Sequence, residues 1–271
     1  MKSMLKWVID YYDQTADLIL PYLYDRKIGI RQIFKGEVIY RRHPPAGGAD
    51  KVHWIYIKEK KDLLFWVKWH GWSYFPHLDG EDNLWFAMDI DRRKVNFRGV
   101  KIASDFMAKL LDELKIKYLV KFSGSNGFHF LWQYKKPLKT SFTHPWQFEH
   151  KTIEFLQTEI EKRLQKSKYK SHFYKFLKSS DPITFRSAND PKNDRSILID
   201  EFILKQKATI RAPYSLHEKT KLVSVPIKPS QILNFNPQSD GDPQKIMKEK
   251  PKFDLPYNSA QKIYNLINNR K

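Results

Sequence analysis

Leu84-Trp-Phe-Ala-Met-Asp-Ile-Asp91 is a short apolar run that ends directly on two carboxylates. Five consecutive apolar residues have the length and composition of a strand buried on both faces. In a strand, residues two apart point to the same side, so Asp89 and Asp91 face one site. Two like charges at that distance repel unless something positive lies between them. A hard divalent cation with oxygen ligands is the natural neutraliser. The same pair also reads as exposed acids closing a strand, balanced by Arg92 and Arg93.

The segments downstream extend this unit. Val100, Ala103, Met107, Leu110, Leu111 and Leu114 recur at helical spacing on one face. Strands are expected at 118–122 and 128–134, joined by Ser123-Gly-Ser-Asn-Gly127. Small residues and two glycines let backbone N–H groups approach an anion, as a phosphate-cradling turn requires. Ser123, Ser125 and His129 would add side-chain donors. Asn-Gly is equally a hairpin signal, and His129 would then be a half-buried structural histidine. A helix is expected over 148–164, and 166–178 is polar and basic. The apolar run 196–199 ends on a third acid, Asp200. After it comes Arg211-Ala-Pro-Tyr-Ser-Leu-His-Glu-Lys-Thr220. Arg211, His217 and Lys219 there would place cations beside a polyphosphate, or form a turn with a scattered basic surface.

Upstream, Leu5, Val8, Tyr12, Ala16, Ile19, Leu20 and Leu23 predict a helix ending at or just after Pro21. Residues 27–69 look strand-like, with strands around Trp54 and over 63–69, and turn material at 43–49. A linker is expected around 237–251 and a short helix over 260–267. The fold class read from these elements is α+β, with a mixed central sheet flanked by helices. A strand-rich N-terminal section occupies about 1–80. The expected boundaries are 1–236 for the catalytic unit and 237–271 for linker and C-terminal helix.

Composition limits the function classes. Of 271 residues, 41% are hydrophobic and 15% aromatic, enough for a packed interior despite a negative mean hydropathy. No apolar run is long enough to cross a bilayer. The N-terminus, where Lys2 and Lys6 flank an amphipathic pattern, does not read as a cleavable leader, so a soluble, cytoplasmic protein without a membrane partner is expected. There are no cysteines, which excludes disulfides and thiolate zinc or iron–sulfur sites. The formal net charge of +19 favours polyanionic partners, nucleic acid or anionic lipid. A solvated lysine-rich surface, as in some thermophiles, would give the same number.

The ordered set Asp-x-Asp, Ser-Gly-Ser-x-Gly-x-His and apolar-apolar-Asp resembles the three motifs of the archaeo-eukaryotic primase superfamily. More narrowly, it is similar to the polymerase domain of bacterial ligase D. Ile9-Asp-Tyr-Tyr12 with Leu20-Pro-Tyr-Leu23 resembles that family's N-terminal helix. Tyr40-Arg-Arg-His-Pro-Pro45 resembles its basic segment, and 211–226 its closing motif. The likeness covers roughly residues 5 to 235. Asn126 stands where the family has a lysine, and His217 where it has an arginine. Ser-Leu-His-x-Lys-Thr is nearer to replicative primase small subunits. The family's polar stretch after the third acid is Glu201-Phe-Ile-Leu204 here, and Phe75, with His77 beside it, replaces a nucleotide-contacting histidine.

The resemblance implies a primase-like fold and a DNA-directed DNA or RNA polymerase, a nucleotidyltransferase. It would extend a primer 3′ end in end joining or gap filling, using two Mn²⁺ or Mg²⁺ ions. Asp89, Asp91 and Asp200 are the implied catalytic metal ligands. Ser123, Ser125, His129, Arg211, Ser215, His217 and Lys219 are the implied nucleotide contacts. Arg41, Arg42 and His43 are assigned to template or primer-end contacts. Trp69, Trp72, Tyr74 and Phe75 are stacking candidates. The implied partners are DNA, nucleoside triphosphates, and a separate ligase and end-binding protein. De novo primer synthesis and a non-catalytic nucleic-acid-binding module are the competing expectations.

Overall fold

The computed structural model describes residues 2–44, 53–92, 96–138, 145–169, 197–200 and 208–269. In chain order the strands are β1 (Ile28–Phe34), β2 (Glu37–Arg41), β3 (Gly71–Pro76), β4 (Asn83–Arg92), β5 (Leu119–Phe122), β6 (Gly127–Lys135), β7 (Ile197–Asp200) and β8 (Pro226–Ile227). The helices are α1 (Lys2–Leu23), α2 (Lys60–Lys68), α3 (Phe97–Glu113), α4 (Pro145–Lys166), α5 (Pro237–Asp240), α6 (Pro243–Glu249) and α7 (Ala260–Asn268).

The deciding run became β4, and it lies inside a five-stranded sheet of order β7-β4-β6-β5-β8. Continuous burial from Leu84 to Met88 fits a strand with neighbours on both sides and helices on its face. Asn96 caps α3 by accepting from Gly99 N, and the helix lays Val100, Ala103, Met107, Leu110 and Leu111 into the core. The α+β class holds, with a central sheet flanked by helices, but the strand pairs of that sheet among the described residues are antiparallel rather than mixed. The tight hairpin between β5 and β6 inserts β6 between β4 and β5. The crossover through α3 therefore joins strands that are not neighbours.

The N-terminal section has its own antiparallel sheet, β2-β1-β3. Here the expected strand over 63–69 is instead the helix α2. The Asp62 carboxylate accepts from Lys58 N at 3.0 Å and Glu59 N at 3.2 Å, which fixes a helix start. Leu63, Trp66 and Val67, at helical spacing, are then buried. The strand that pairs with β1 is β3, just beyond. Trp72 and Tyr74 sit in it as core residues, which removes them as stacking candidates, and only Trp69 of that group is well exposed. Phe75 carries the guanidinium of Arg31 over its ring at 4.9 Å. The turn expected at 43–49 and the basic stretch at 166–178 fall mostly outside the described residues.

The C-terminal stretch is fastened down rather than extended as a linker. Gln133 Nε2 donates to Leu255 O at 2.7 Å, and Gln133 N to Pro256 O at 2.9 Å. Tyr214 Oη donates to Pro251 O at 2.6 Å, and Tyr22 Oη bonds Phe253 O. Proline at N1 and an Asx cap start both α5 and α6, so a proline-rich stretch that reads as linker folds as short helices.

Candidate active site

The antiparallel ladders place five residues in one row across the main sheet. Asp200 is opposite Asp89, Asp89 opposite His129, His129 opposite Lys121, and Lys121 opposite Pro226. Directly opposed residues in such ladders share a face. Asp91 lies two residues along β4, opposite Leu198 on one side and Gly127 on the other. The three acidic positions are thus register neighbours on one face. Asp200 enters by backbone register alone. Among the described residues, no three His, Cys, Asp or Glu side chains gather as a metal-holding group. The donors are carboxylate oxygens in a chain without thiols, which fits a hard cation such as Mg²⁺ or Mn²⁺.

Gly127 allows the strands to close at this point. A Cβ there would lie 2.2 Å from Ile90 O and 2.9 Å from Asp91 Cα. The turn before it is held from within. Ser123 Oγ accepts from Ser125 N at 3.3 Å and Gly127 N at 3.1 Å. Gly124 adopts φ +91°, in the left-handed region that glycine enters without strain. Its carbonyl accepts from Thr220 Oγ1 at 2.5 Å, and a Cβ on it would approach His217 Cβ to 3.0 Å. The turn at 123–127 and the turn at 217–222 therefore lie against each other.

Both histidines of this region are neutral near pH 7. Burial, followed by Lys121 and Arg211, pushes His129 well below the usual imidazole range. Burial and then Arg211 bring His217 down to about 4. His217 Nδ1 accepts from Lys219 N at 3.2 Å and Thr220 N at 3.3 Å, which leaves its proton on Nε2. His129 Nε2 lies 3.4 Å from Asp89 Oδ1, and its Nδ1 is 2.7 Å from Lys121 Nζ. Lys121, fully buried, is held well below its ordinary value by burial and Arg211, against the pull of Asp89.

Two residues expected at the nucleotide face inward instead. Arg211 donates Nη1 to Leu216 O at 2.9 Å and Nη2 to Glu218 Oε2 at 3.1 Å. A buried guanidinium needs a counter-charge, and the Glu218 carboxylate, also buried, supplies it. Ser73 Oγ donates to the same carboxylate at 2.7 Å, and Arg31 Nη1 reaches its other oxygen at 2.5 Å. Burial pushes Glu218 up, but Arg211, Ser73 and Arg31 bring it down to about 2. Ser215 Oγ accepts from Tyr74 N at 2.9 Å, and Tyr12 Oη accepts from Leu216 N at 2.9 Å. These contacts pin the segment that carries His217. Lys219 is exposed.

The hairpin β1–β2 lies over the same segment. Tyr40 Oη is 3.3 Å from Thr209 Oγ1, and Arg42 stacks over the Tyr40 ring at 5.2 Å. Arg41 Nε donates to Gln32 Oε1 at 2.8 Å. His43 packs on Trp54 with ring centroids 4.8 Å apart. Sequence reasoning overlooked Lys121, Ser224 and Glu218. For Lys121 a signal existed, a lone charge inside the apolar run Leu119-Val-Lys-Phe122.

The ladders thus bring three acidic positions, a glycine turn and two histidine-bearing segments to one part of the main sheet. The model of the LigD primase-polymerase domain matches residues 6–252, and the chain belongs to that family. It is accordingly a polymerase-type nucleotidyltransferase, of a family that acts in end joining. Among solved structures, the fold is similar to the polymerase domain of Mycobacterium tuberculosis ligase D, determined in complex with DNA. The TM-score is 0.64 and the identity 15%, over 90% of this chain and 89% of that one. No curated protein gives a match. No helix among the described residues is long and apolar enough to cross a membrane.

Proposed function

We propose that the chain adds nucleotides to a primer 3′ end on a DNA template by two-metal catalysis, in end joining or gap filling. The observation that carries this reading is the shared register row of Asp89, Asp200 and His129, with Asp91 two residues along the same strand. Asp89 and Asp91 would hold both Mn²⁺ or Mg²⁺ ions, and Asp200 the one nearer the primer hydroxyl. When bound, such a pair stabilises the attacking and leaving oxygens of an in-line displacement.

The chain's own groups do the positioning. Ser123 and Ser125, with the backbone of their turn, offer donors to the triphosphate of the incoming nucleotide. His129, His217 and Lys219 add to these. Arg211 and Ser215 support from behind by fixing the His217 segment. Arg41, Arg42 and His43 meet template or primer end, and DNA is the polyanion that the +19 charge serves. A separate ligase and an end-binding protein would complete the repair.

Primer extension on a short gapped duplex with a downstream 5′-phosphate tests this, with Mn²⁺ or Mg²⁺ and each nucleotide pool in turn. Extension is expected, and Asp89→Ala is expected to abolish it. Activity on an unprimed template would move the assignment to a primase. Absence of extension with either metal, alongside salt-sensitive DNA binding, would leave only a binding module.

A further inference from the structure

Lys121 interrupts a buried strand whose other residues, Leu119, Val120 and Phe122, are apolar. A lysine is seldom removed from water without partners, and this one is 0% exposed. Its amine meets two groups at 2.7 Å, Ser224 Oγ and His129 Nδ1. The Ser224 hydroxyl directs its hydrogen to Phe122 O at 2.9 Å, so its oxygen accepts from the amine. An amine carries at least two hydrogens in either protonation state, which leaves another for His129 Nδ1.

The opposite arrangement would have Nδ1–H donate to the lysine. The bare Nε2 lone pair would then face Asp89 Oδ1 at 3.4 Å, acceptor against acceptor. Donation from Lys121 places the ring proton on Nε2, where it faces the carboxylate. His217 uses the same device with backbone donors, its Nδ1 accepting from Lys219 N and Thr220 N. Two imidazoles in adjoining parts of the site thus present Nε2–H.

We propose that Lys121 is a positioning residue that holds His129 in its Nε2–H tautomer and aims that donor at the edge of the acid row, where the triphosphate docks. Only the last clause rests on the nucleotidyl-transfer reading. The tautomer is a property of the chain with or without substrate.

Long-range ¹H–¹⁵N correlation spectra of the labelled chain read the tautomer directly. His129 signals are assigned by their loss in His129→Gln. The Nε2–H pattern is expected in the natural sequence, and an Nδ1–H pattern there overturns the proposal. Lys121→Met is expected to give mixed tautomers and to raise the nucleotide KM about tenfold, with a smaller effect on the KM for primer. A retained Nε2–H pattern, or a shifted tautomer with unchanged nucleotide KM, overturns it. Should Lys121→Met fail to fold by circular dichroism, Ser224→Ala carries the test. Split or broadened His129 signals then support the role, and an unchanged Nε2–H pattern overturns it. A chain that extends no primer fails the polymerase reading, while the spectra still decide what Lys121 does to His129.

Discussion

A methyl group added at Gly127 would strike backbone, not a side chain that can rotate away. The nearest atoms, Ile90 O at 2.2 Å and Asp91 Cα at 2.9 Å, belong to the stretch that aims both β4 acids. Gly127→Ala must therefore push β4 from β6 at Asp91. A displacement near 1 Å costs on the order of 10²-fold in rate where catalysis depends on geometry. The expected outcome is a loss of kcat of about that size, with cooperative thermal unfolding preserved. Primer-extension kinetics with a parallel melting curve measure both, and near-normal kcat would show that the acids tolerate the shift. At this scale the placement of several of these residues was legible. Asp89 and Asp91 follow from period-two alternation, and Ser123 and His129 from their spacing around a glycine turn. The inward course of Arg211 and Ser215 was not, because a cation near a polar turn reads alike whether it faces a ligand or a buried carboxylate. Glu218, which decides the matter, is separated from Arg211 by six residues of irregular chain that no periodicity describes.

Among the elements, the segment from Ala208 to Ile227 does the most with the least regular structure. It contributes only β8 to the sheet, yet it carries His217 and holds it through a buried charge network. Arg211 and Arg31 converge on Glu218, whose side chain is 1% exposed. Replacing the carboxylate by an amide leaves the buried Arg211 without its counter-charge. Removing one partner of a buried pair typically costs about 3–5 kcal/mol. Glu218→Gln is expected to destabilise the fold by about that much, read as a lower urea midpoint with an unchanged slope. It should also raise the nucleotide KM through loss of order at His217. A destabilisation below about 1 kcal/mol would mean that Ser73 and backbone carbonyls suffice to hold Arg211. The element that sequence reading mistook, α2, shows why composition alone misleads. Its aromatic content matches a strand, and the outcome turned on Asp62 accepting two backbone N–H groups at the helix start. Capping is local chemistry, and it outweighed a weak β preference.

For the whole molecule, the question is where a net charge of +19 acts. Many acids are already engaged internally or on the surface, Glu218 with Arg211, Asp105 with Lys109 and Glu113 with Arg163 among them. The cations left over set the long-range field. If that field serves DNA, binding must release counterions, and log K must fall linearly with log salt by about 0.9 per phosphate contacted. Arg42, stacked on Tyr40, and Arg41, held by Gln32, stand at the end of β2, in the hairpin that meets Thr209 through Tyr40 and Glu218 through Arg31. Each is expected to contact one phosphate. Arg41→Ala and Arg42→Ala should each make the salt slope shallower by about 1 and weaken binding alike across DNA sequences. A control such as Lys262→Ala, on helix α7 where the amine donates to Lys115 O, should leave the slope unchanged. Fluorescence anisotropy on a labelled gapped duplex over a salt series measures all three. Equal slopes for the natural sequence and both arginine variants would place the DNA on another surface, and the basic hairpin would then be an ordinary solvated edge.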